Sequence, residues 1–203
     1  MIRLDGVNQS RIARLRAWVI TNSSDHPFAG PDHVARVVAL SREIGVSEGA
    51  CLETIEAAAL LHDIGVPISS STHYEVGALL SVGILEEAGY EPQQIEAICN
   101  AIRAHSRYGG PEPDTIEAKC LFDADAIDYV GMVGLIRSIG RGRAKGGYLG
   151  DVPQCVSMGQ QLIDSVRGIC YTKKGKVLLE ERILNLENAL TVLESELQWG
   201  GGV

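Results

Sequence analysis

Residues 56–65 read Glu-Ala-Ala-Ala-Leu-Leu-His-Asp-Ile-Gly. Alanine and leucine favour a helix, and Gly65 is of the residue type at which helices commonly end. The run therefore predicts an apolar helix that carries two ionisable side chains, His62 and Asp63, at its end. Burying such groups costs free energy unless something compensates them. A divalent cation would do so, because neutral imidazole and carboxylate are both good metal ligands.

Further ionisable residues lie upstream and downstream of this pair. His33 stands among apolar residues, and Asp125 lies in the largely apolar run 122–128. On a helix, Asp125 and Asp128 share a face from which Asp123 points away. A carboxylate on an apolar face favours a cation as its partner. Asp128 could instead simply accept a hydrogen bond.

Helical spacing also relates several charged side chains to one another. Asp123 could pair with Lys119, which stands four residues before it, and Arg36 shares a helical face with His33. Four of the five histidines fall near the ends of predicted helices, where a common cleft could form: His33, His62, His73 and His105.

Apolar residues recur three and four positions apart along most of the chain, so we expect an all-α protein without a series of strands. About eight helices are predicted, with glycines such as Gly45 and Gly89 as stop signals. The segment 141–151 is predicted to be a loop. The last helix is amphipathic and is expected to pack on the core, with a homodimer contact as the alternative. The predicted ranges are about 10–20, 32–44, 47–63, 72–88, 91–106, 115–139, 153–171 and 174–197.

Composition narrows the class of protein. A chain of 203 residues with 45% hydrophobic residues can bury a substantial core. The 18 basic and 26 acidic residues give a net charge of −8. An acidic chain is a poor nucleic-acid binder, because neutralising a phosphate backbone needs clustered cations. A small phosphorylated substrate is still allowed, since it needs only a few positive groups or a metal.

Location follows from what the sequence lacks. No apolar stretch approaches the roughly 20 residues that span a bilayer, and the first residues lack the apolar core of a signal peptide. The five cysteines are scattered, odd in number and without a CxxC motif. We therefore expect a cytoplasmic protein with no membrane partner, in which all five cysteines are buried free thiols.

These residues together resemble a known family, the HD-domain metal-dependent phosphohydrolases. The family pattern is a histidine, a His-Asp doublet and a distant aspartate, which His33, His62-Asp63 and Asp125 match in order and spacing. Further motifs resemble one subgroup of small stand-alone bacterial and archaeal HD hydrolases, over roughly residues 10–198. They are residues 33–37 (His-Val-Ala-Arg-Val), residues 58–65, His73 with Gly77, Ile102 through His105-Ser106, Lys119 with Asp123-Ala124-Asp125, and residues 172–176 (Thr-Lys-Lys-Gly-Lys).

The resemblance implies an all-α, single-domain helical bundle of the HD-domain type over residues 1–203. Its HD core would span about 29–140, with C-terminal helices at about 152–198 packing on it. Members of the subgroup usually carry a compact His-Asp-x-x-His at the first ligand. Here residues 27–32 separate His26 from His33, so we expect His26 to be an exposed loop residue.

The resemblance also implies the site residues. One divalent metal ion (manganese, iron, cobalt, nickel, zinc or magnesium) would be bound by His33, His62, Asp63 and Asp125. His62 and Asp63 would be catalytic, and Asp63 would orient the attacking water. The substrate would be held by His73, His105, Arg36 and Lys119. If a second metal ion binds, the two histidines would bind that ion instead.

The implied activity is hydrolysis of a small phosphorylated substrate, a nucleotide by preference, through metal-activated water. Basic residues at the rim could attract phosphates, although exposed cations are usually only solvated: Arg103, Arg107, Arg141, Arg143 and Lys145. Two alternatives remain open, a non-catalytic metal-binding signalling or scaffold module and a di-iron HD oxygenase. A nuclease is disfavoured by the net charge of −8.

Overall fold

A computed structural model describes residues 10–22, 29–144, 146–147 and 150–198. Within these residues the chain forms nine helices and no strand, which confirms the all-α prediction. His26 lies outside the described residues. The helices are α1 (Arg11–Asn22), α2 (Pro31–Glu48), α3 (Leu52–Leu61), α4 (His73–Ala88), α5 (Pro92–Ala104), α6 (Ile116–Asp128), α7 (Gly131–Ala144), α8 (Val152–Val166) and α9 (Lys173–Leu197).

The ninth helix arises because the predicted helix 115–139 is in fact two helices. Gly131 has a φ of 82°, a left-handed conformation that other residues rarely adopt, and it separates α6 from α7. Helix α7 then continues to Ala144, so the predicted loop 141–151 begins later than expected. The break redirects α7, and residues beyond it no longer keep the faces that one continuous helix would give them.

The predicted end of α2 at Gly45 is also wrong. The helix continues through Gly45 to Glu48 and is capped by Gly49, whose φ of 73° is left-handed. Gly45 instead permits a close approach, because a Cβ atom there would lie 2.6 Å from Cδ1 of Ile55 on α3. Sequence alone does not distinguish a glycine that ends a helix from one that lets two helices touch.

One continuous apolar core connects α1 to α9 through residues such as Leu15, Ile44, Ile98, Leu121 and Ile183, all of them buried. Helix α2 packs against α3 and α6, and α5 packs against α3, α4 and α6. These contacts bring the start of α2, the end of α3 and the end of α6 to the same region of the bundle. The residues singled out in the sequence lie there.

The side chain of Asp123 ties the last helix to this bundle. Its carboxylate is completely buried on α6 and accepts hydrogen bonds from the backbone N–H groups of Tyr171 and Thr172 at 2.8 Å and from the Thr172 hydroxyl at 2.6 Å. Burial raises the pKa of Asp123, and these hydrogen bonds oppose that rise. The suggested pairing with Lys119 is therefore wrong, because the carboxylate caps the turn before α9 instead.

We expect Asp123→Ala to destabilise the protein by about 3 kcal/mol, since one hydrogen bond to a charged group is worth about 1.5–3 kcal/mol. The melting temperature should fall by about 6–12 °C, at about 2–4 °C per kcal/mol for a protein of this size. Thermal unfolding followed by circular dichroism measures this. A melting curve identical to that of the parent would show that the α9 junction does not depend on this carboxylate.

Three further expectations concern the cysteines, the packing of α9 and membrane-spanning segments. Four cysteines are buried and free, but Cys51, just before α3, is exposed, so the expectation that all five are core residues is wrong for Cys51. Helix α9 buries Leu179, Ile183, Leu186 and Leu190, as a core-packing helix should. None of the helices in the described ranges combines the length and apolar character of a bilayer-spanning segment.

Candidate metal centre

Four side chains from three parts of the chain converge where α2, α3 and α6 meet. The Nε2 atom of His33, near the start of α2, lies 3.2 Å from Nε2 of His62. The same atom lies 3.4 Å from Oδ2 of Asp63 and 3.4 Å from Oδ1 of Asp125. The ligand atoms of His33, His62 and Asp63 thus all lie within 4.8 Å of one another, and Asp125 adjoins this group through its contact with His33.

A second cluster shares Asp63 with the first. Oδ1 of Asp63 lies 3.7 Å from Nε2 of His73 and 3.6 Å from Nε2 of His105. The two imidazoles are also adjacent, with their Nε2 atoms 3.2 Å apart. Because the other oxygen of Asp63 faces His33 and His62, this carboxylate lies between two triads of potential ligands.

Small residues bring α4 close enough to form the second triad. A Cβ atom on Gly65 would lie 2.3 Å from the carbonyl oxygen of His73, and one on Gly77 would lie 3.1 Å from the carbonyl oxygen of His62. The turn after the His-Asp doublet and the first turns of α4 therefore pass each other at a distance that side chains would prevent. This approach places His73 beside Asp63.

Each of the four imidazoles is fixed by a hydrogen bond at Nδ1, the ring nitrogen that does not face the other ligands. A backbone carbonyl only accepts hydrogen bonds, so a ring nitrogen bonded to one carries the proton, and in the neutral ring Nε2 keeps its lone pair. His33 differs, because its Nδ1 donates to the carboxylate of Asp128 at 2.7 Å. The carbonyl contacts are His62 Nδ1 to Ala59 at 2.8 Å, His73 Nδ1 to Ser70 at 3.0 Å and His105 Nδ1 to Ile102 at 2.6 Å.

The donor set fits a divalent cation. Two neutral imidazoles whose lone pairs face each other at 3.2 Å repel unless a proton or a cation lies between them. Ligands about 2.1 Å from one metal lie about 3.0–3.4 Å apart in octahedral or tetrahedral geometry. The Nε2–Nε2 separation of 3.2 Å lies within that range in both triads, and the distances from the imidazoles to Asp63 are 3.4–3.7 Å. Mixed imidazole and carboxylate ligands suit several first-row transition metals, so the residues do not choose among them.

The electrostatics of the first triad favour positive charge. Burial alone would lower the pKa of His33, but hydrogen bonds to Asp125, Asp128 and Asp63 outweigh burial and raise it to about 10. Complete burial lowers the pKa of His62 to about 4. Burial would raise the pKa of Asp125, yet its contacts with His33 hold it well below the usual range. Ionised carboxylates thus surround the imidazoles and attract a cation.

A cleft of about 390 Å³ opens onto these residues. Its lining combines the ligand candidates with two arginines and two tyrosines, a composition suited to an anionic ligand that carries an apolar part. The lining residues are Ala29, His33, Asp63, Val66, Ser70, His73, Ser106, Tyr108, Asp125, Tyr129, Arg137 and Arg141.

The four residues proposed for substrate binding occupy different positions. His73 lines the cleft, and His105 is buried behind it. The guanidinium of Arg36 binds Asp128 rather than facing the cleft, with Nε 2.6 Å from Oδ1. Lys119 is half-buried on α6 and is not among the described residues that line the cleft. Direct substrate contact by Arg36 or Lys119 remains a prediction without support from these positions.

Sequence reasoning missed Arg137 and the two tyrosines of the cleft. Arg137 stands nine residues after Asp128, and in one continuous helix the two side chains would lie on opposite faces. Tyr108 lies in a glycine-rich loop without periodicity, so no pattern pointed to it. Arg141, considered only as a rim residue, does line the cleft.

Comparison with known proteins places the chain in a family. The HD domain model matches residues 32–130. YpgQ of Bacillus subtilis is 31% identical over 177 residues, which cover 83% of this chain and 85% of the relative. The crystal structure of Bacillus subtilis YpgQ in complex with ADP has a TM-score of 0.69 and 29% identity, over 91% of this chain and 97% of that chain.

A second solved structure shares the fold at lower identity. A predicted HD superfamily hydrolase from an uncultured Thermotogales bacterium has a TM-score of 0.65 and 23% identity, and the match covers 94% of this chain and 91% of that chain. The fold, the ligand cluster and the sequence match all agree. This chain belongs to the HD-domain family and has the fold of the HD superfamily hydrolases.

Proposed function

We propose that this protein is a metal-dependent phosphohydrolase that acts on a small phosphorylated substrate, a nucleotide by preference. The observation that carries the proposal is the pair of triads that share Asp63 and open into a cleft lined by Arg137 and Arg141. The complex of the relative YpgQ with ADP supports a nucleotide as the ligand class. The free cysteines support a reducing compartment, which we propose is the cytoplasm.

Each group in the site has a proposed task. His33, His62, Asp63 and Asp125 would hold a divalent cation, and His73 and His105 with Asp63 would hold a second one or a phosphate oxygen. A cation bound there would supply Lewis-acid polarisation of a phosphoryl oxygen and of the attacking water. Asp63 would also orient that water by accepting a hydrogen bond from it. Arg137 and Arg141 attract the phosphate through charge.

A panel of substrates tests the activity. The purified protein is incubated with nucleoside monophosphates, diphosphates, triphosphates and cyclic nucleotides, each with Mn²⁺, Co²⁺, Ni²⁺, Zn²⁺, Fe²⁺ or Mg²⁺, and the products are separated by chromatography. We expect hydrolysis of at least one nucleotide that stops when EDTA is added. Bound metal without turnover of any phosphate ester would favour the non-catalytic module instead.

The shared carboxylate also favours one alternative, a di-iron oxygenase, because Asp63 lies between two sets of imidazoles. Measurements on freshly purified, iron-loaded protein distinguish the oxygenase from the phosphohydrolase. An oxo-bridged di-iron centre gives a characteristic absorption band, and consumption of oxygen without release of phosphate would support the oxygenase.

Removal of the metal should destabilise the protein. At a free Mn²⁺ concentration of 100 times the dissociation constant, binding stabilises the folded state by about 2.7 kcal/mol. We therefore expect Mn²⁺ to raise the melting temperature of the EDTA-treated protein by about 5–11 °C. Differential scanning calorimetry measures the shift, with the Asp63→Asn variant as the control that should show none. Equal shifts in parent and variant would place Mn²⁺ somewhere else.

A further inference from the structure

We propose that Asp128 is a positioning residue that fixes the ring of His33 with Nε2 directed toward Asp63 and Asp125. It would set the metal affinity of the site without touching the metal or the substrate. This inference rests on the proposed function in one respect, that His33 binds a cation. The experiment below separates the failure of either.

Asp128 is buried, and both oxygens of its carboxylate accept hydrogen bonds. Its side chain, at the last residue of α6, is 0% exposed. Oδ2 accepts hydrogen bonds from Nδ1 of His33 at 2.7 Å and from Nη1 of Arg137 at 2.6 Å. Oδ1 accepts from Nε of Arg36 at 2.6 Å. Two guanidinium groups therefore hold both oxygens of the carboxylate in place.

His33 is distinguished by this partner. In the described chain the other three imidazoles of the two triads donate Nδ1–H to neutral backbone carbonyls, whereas His33 donates to an ionised carboxylate. A charged acceptor fixes the ring orientation and makes the opposite nitrogen more basic, and such partners typically change metal affinity by 10–100-fold. The carboxylate therefore acts on the atom that faces the proposed cation.

A purely structural role is the competing explanation. Asp128 joins three helices, because its partners lie on α2 and α7 while it belongs to α6. Loss of activity alone would therefore prove nothing. The chain offers a matched control in Asp123, another completely buried aspartate of α6, whose partners Tyr171 and Thr172 lie away from the triads.

The test compares Mn²⁺ binding in the parent, Asp128→Asn and Asp123→Asn. Free Mn²⁺ is measured by electron paramagnetic resonance during titration, at a temperature where circular dichroism shows all three proteins folded. We expect Asp128→Asn to bind about 10–100 times more weakly than the parent. Asp123→Asn should bind as the parent does, although it is less stable. Equal affinity in parent and Asp128→Asn would overturn the inference and leave the proposed function intact.

A second measurement reads the ring directly. In Zn²⁺-loaded protein, the Nδ1–H proton of His33 should appear as a downfield resonance protected from exchange, because it is hydrogen-bonded to a buried carboxylate. That resonance should shift upfield or exchange rapidly in Asp128→Asn and stay unchanged in Asp123→Asn. An unchanged resonance in Asp128→Asn would overturn the positioning role. If the parent itself bound none of Mn²⁺, Zn²⁺, Co²⁺, Ni²⁺, Fe²⁺ and Mg²⁺, both the inference and the proposed function would be wrong.

Two variants of α2 decide the question if Asp128→Asn does not fold. Arg36 and Arg42 lie on the same helix, and each pairs with a buried carboxylate, Asp128 and Glu56 respectively. We expect Arg36→Gln to weaken Mn²⁺ binding by about tenfold, at the lower end of the range for partners of metal ligands. Arg42→Gln should leave the affinity unchanged. Equal affinities in these two variants would contradict the inference.

Discussion

Asp63→Asn is expected to reduce metal-dependent hydrolysis by at least about 10³-fold, which corresponds to about 4 kcal/mol of the activation barrier. The reason is that one carboxylate serves both triads, with Oδ2 facing His33 and Oδ1 facing His73 and His105. An amide has nearly the same shape but no negative charge, and it presents a nitrogen to one of the two triads. His62→Ala should cause a comparable loss, because it removes the buried imidazole that faces His33 at 3.2 Å.

Steady-state assays with the best nucleotide of the panel measure both losses. Asp164→Asn, an exposed aspartate of α8 whose carboxylate pairs with Gln160, is the control and should keep the activity of the parent. Metal content is measured on the same samples, so that loss of metal is separated from loss of chemistry. If both His62→Ala and Asp63→Asn hydrolysed substrate as fast as the parent, the proposed function would be wrong.

Gly65→Ala is expected to destabilise the protein about as strongly as Asp123→Ala does. The added methyl group would lie 2.3 Å from the carbonyl oxygen of His73 and 2.7 Å from the backbone nitrogen of Gly77. Both contacts are to backbone, which cannot rotate away as a side chain can, so α4 has to move. Forcing atoms into a packed interior typically costs about 1–3 kcal/mol, and a backbone clash lies at or above the upper end.

The expected fall in melting temperature is about 6–12 °C for a loss of about 3 kcal/mol. Moving α4 also displaces His73 from Asp63, so metal-dependent activity should fall at temperatures where the variant is folded. Gly83→Ala on α4 is the control, because its added Cβ meets nothing within 4 Å. That change should raise stability by up to about 1 kcal/mol, since alanine is the better helix former. Equal melting temperatures for Gly65→Ala and the parent would contradict the packing described above.

The sequence predicted the helices well because helical periodicity is a local signal. Helix α4 begins at His73 and ends at Ala88, as expected, since apolar spacing marks its length and Gly89 marks its end. The errors occur where one residue type has two uses. The pattern predicts a helix end at Gly45, which in fact makes room for α3, and it predicts no break at Gly131, where the helix ends.

The residues of the candidate site also differ in how far the sequence predicts them. The closeness of His33, His62, Asp63 and Asp125 was predictable because residue types that can bind metals are few and form a recognisable pattern. The hydrogen bonds that fix His62, His73 and His105 were not predictable, since their acceptors are backbone carbonyls, which every residue has. Arg137 was missed for a further reason: its contact with Asp128 spans the break at Gly131, so spacing along a helix does not relate the two.

The most direct test is a crystal grown with Mn²⁺ and measured at an X-ray energy where manganese scatters anomalously. We expect an anomalous peak between the side chains of His33, His62, Asp63 and Asp125. A map without a peak there, in which the imidazoles of His33 and His62 turn away from each other, would contradict it.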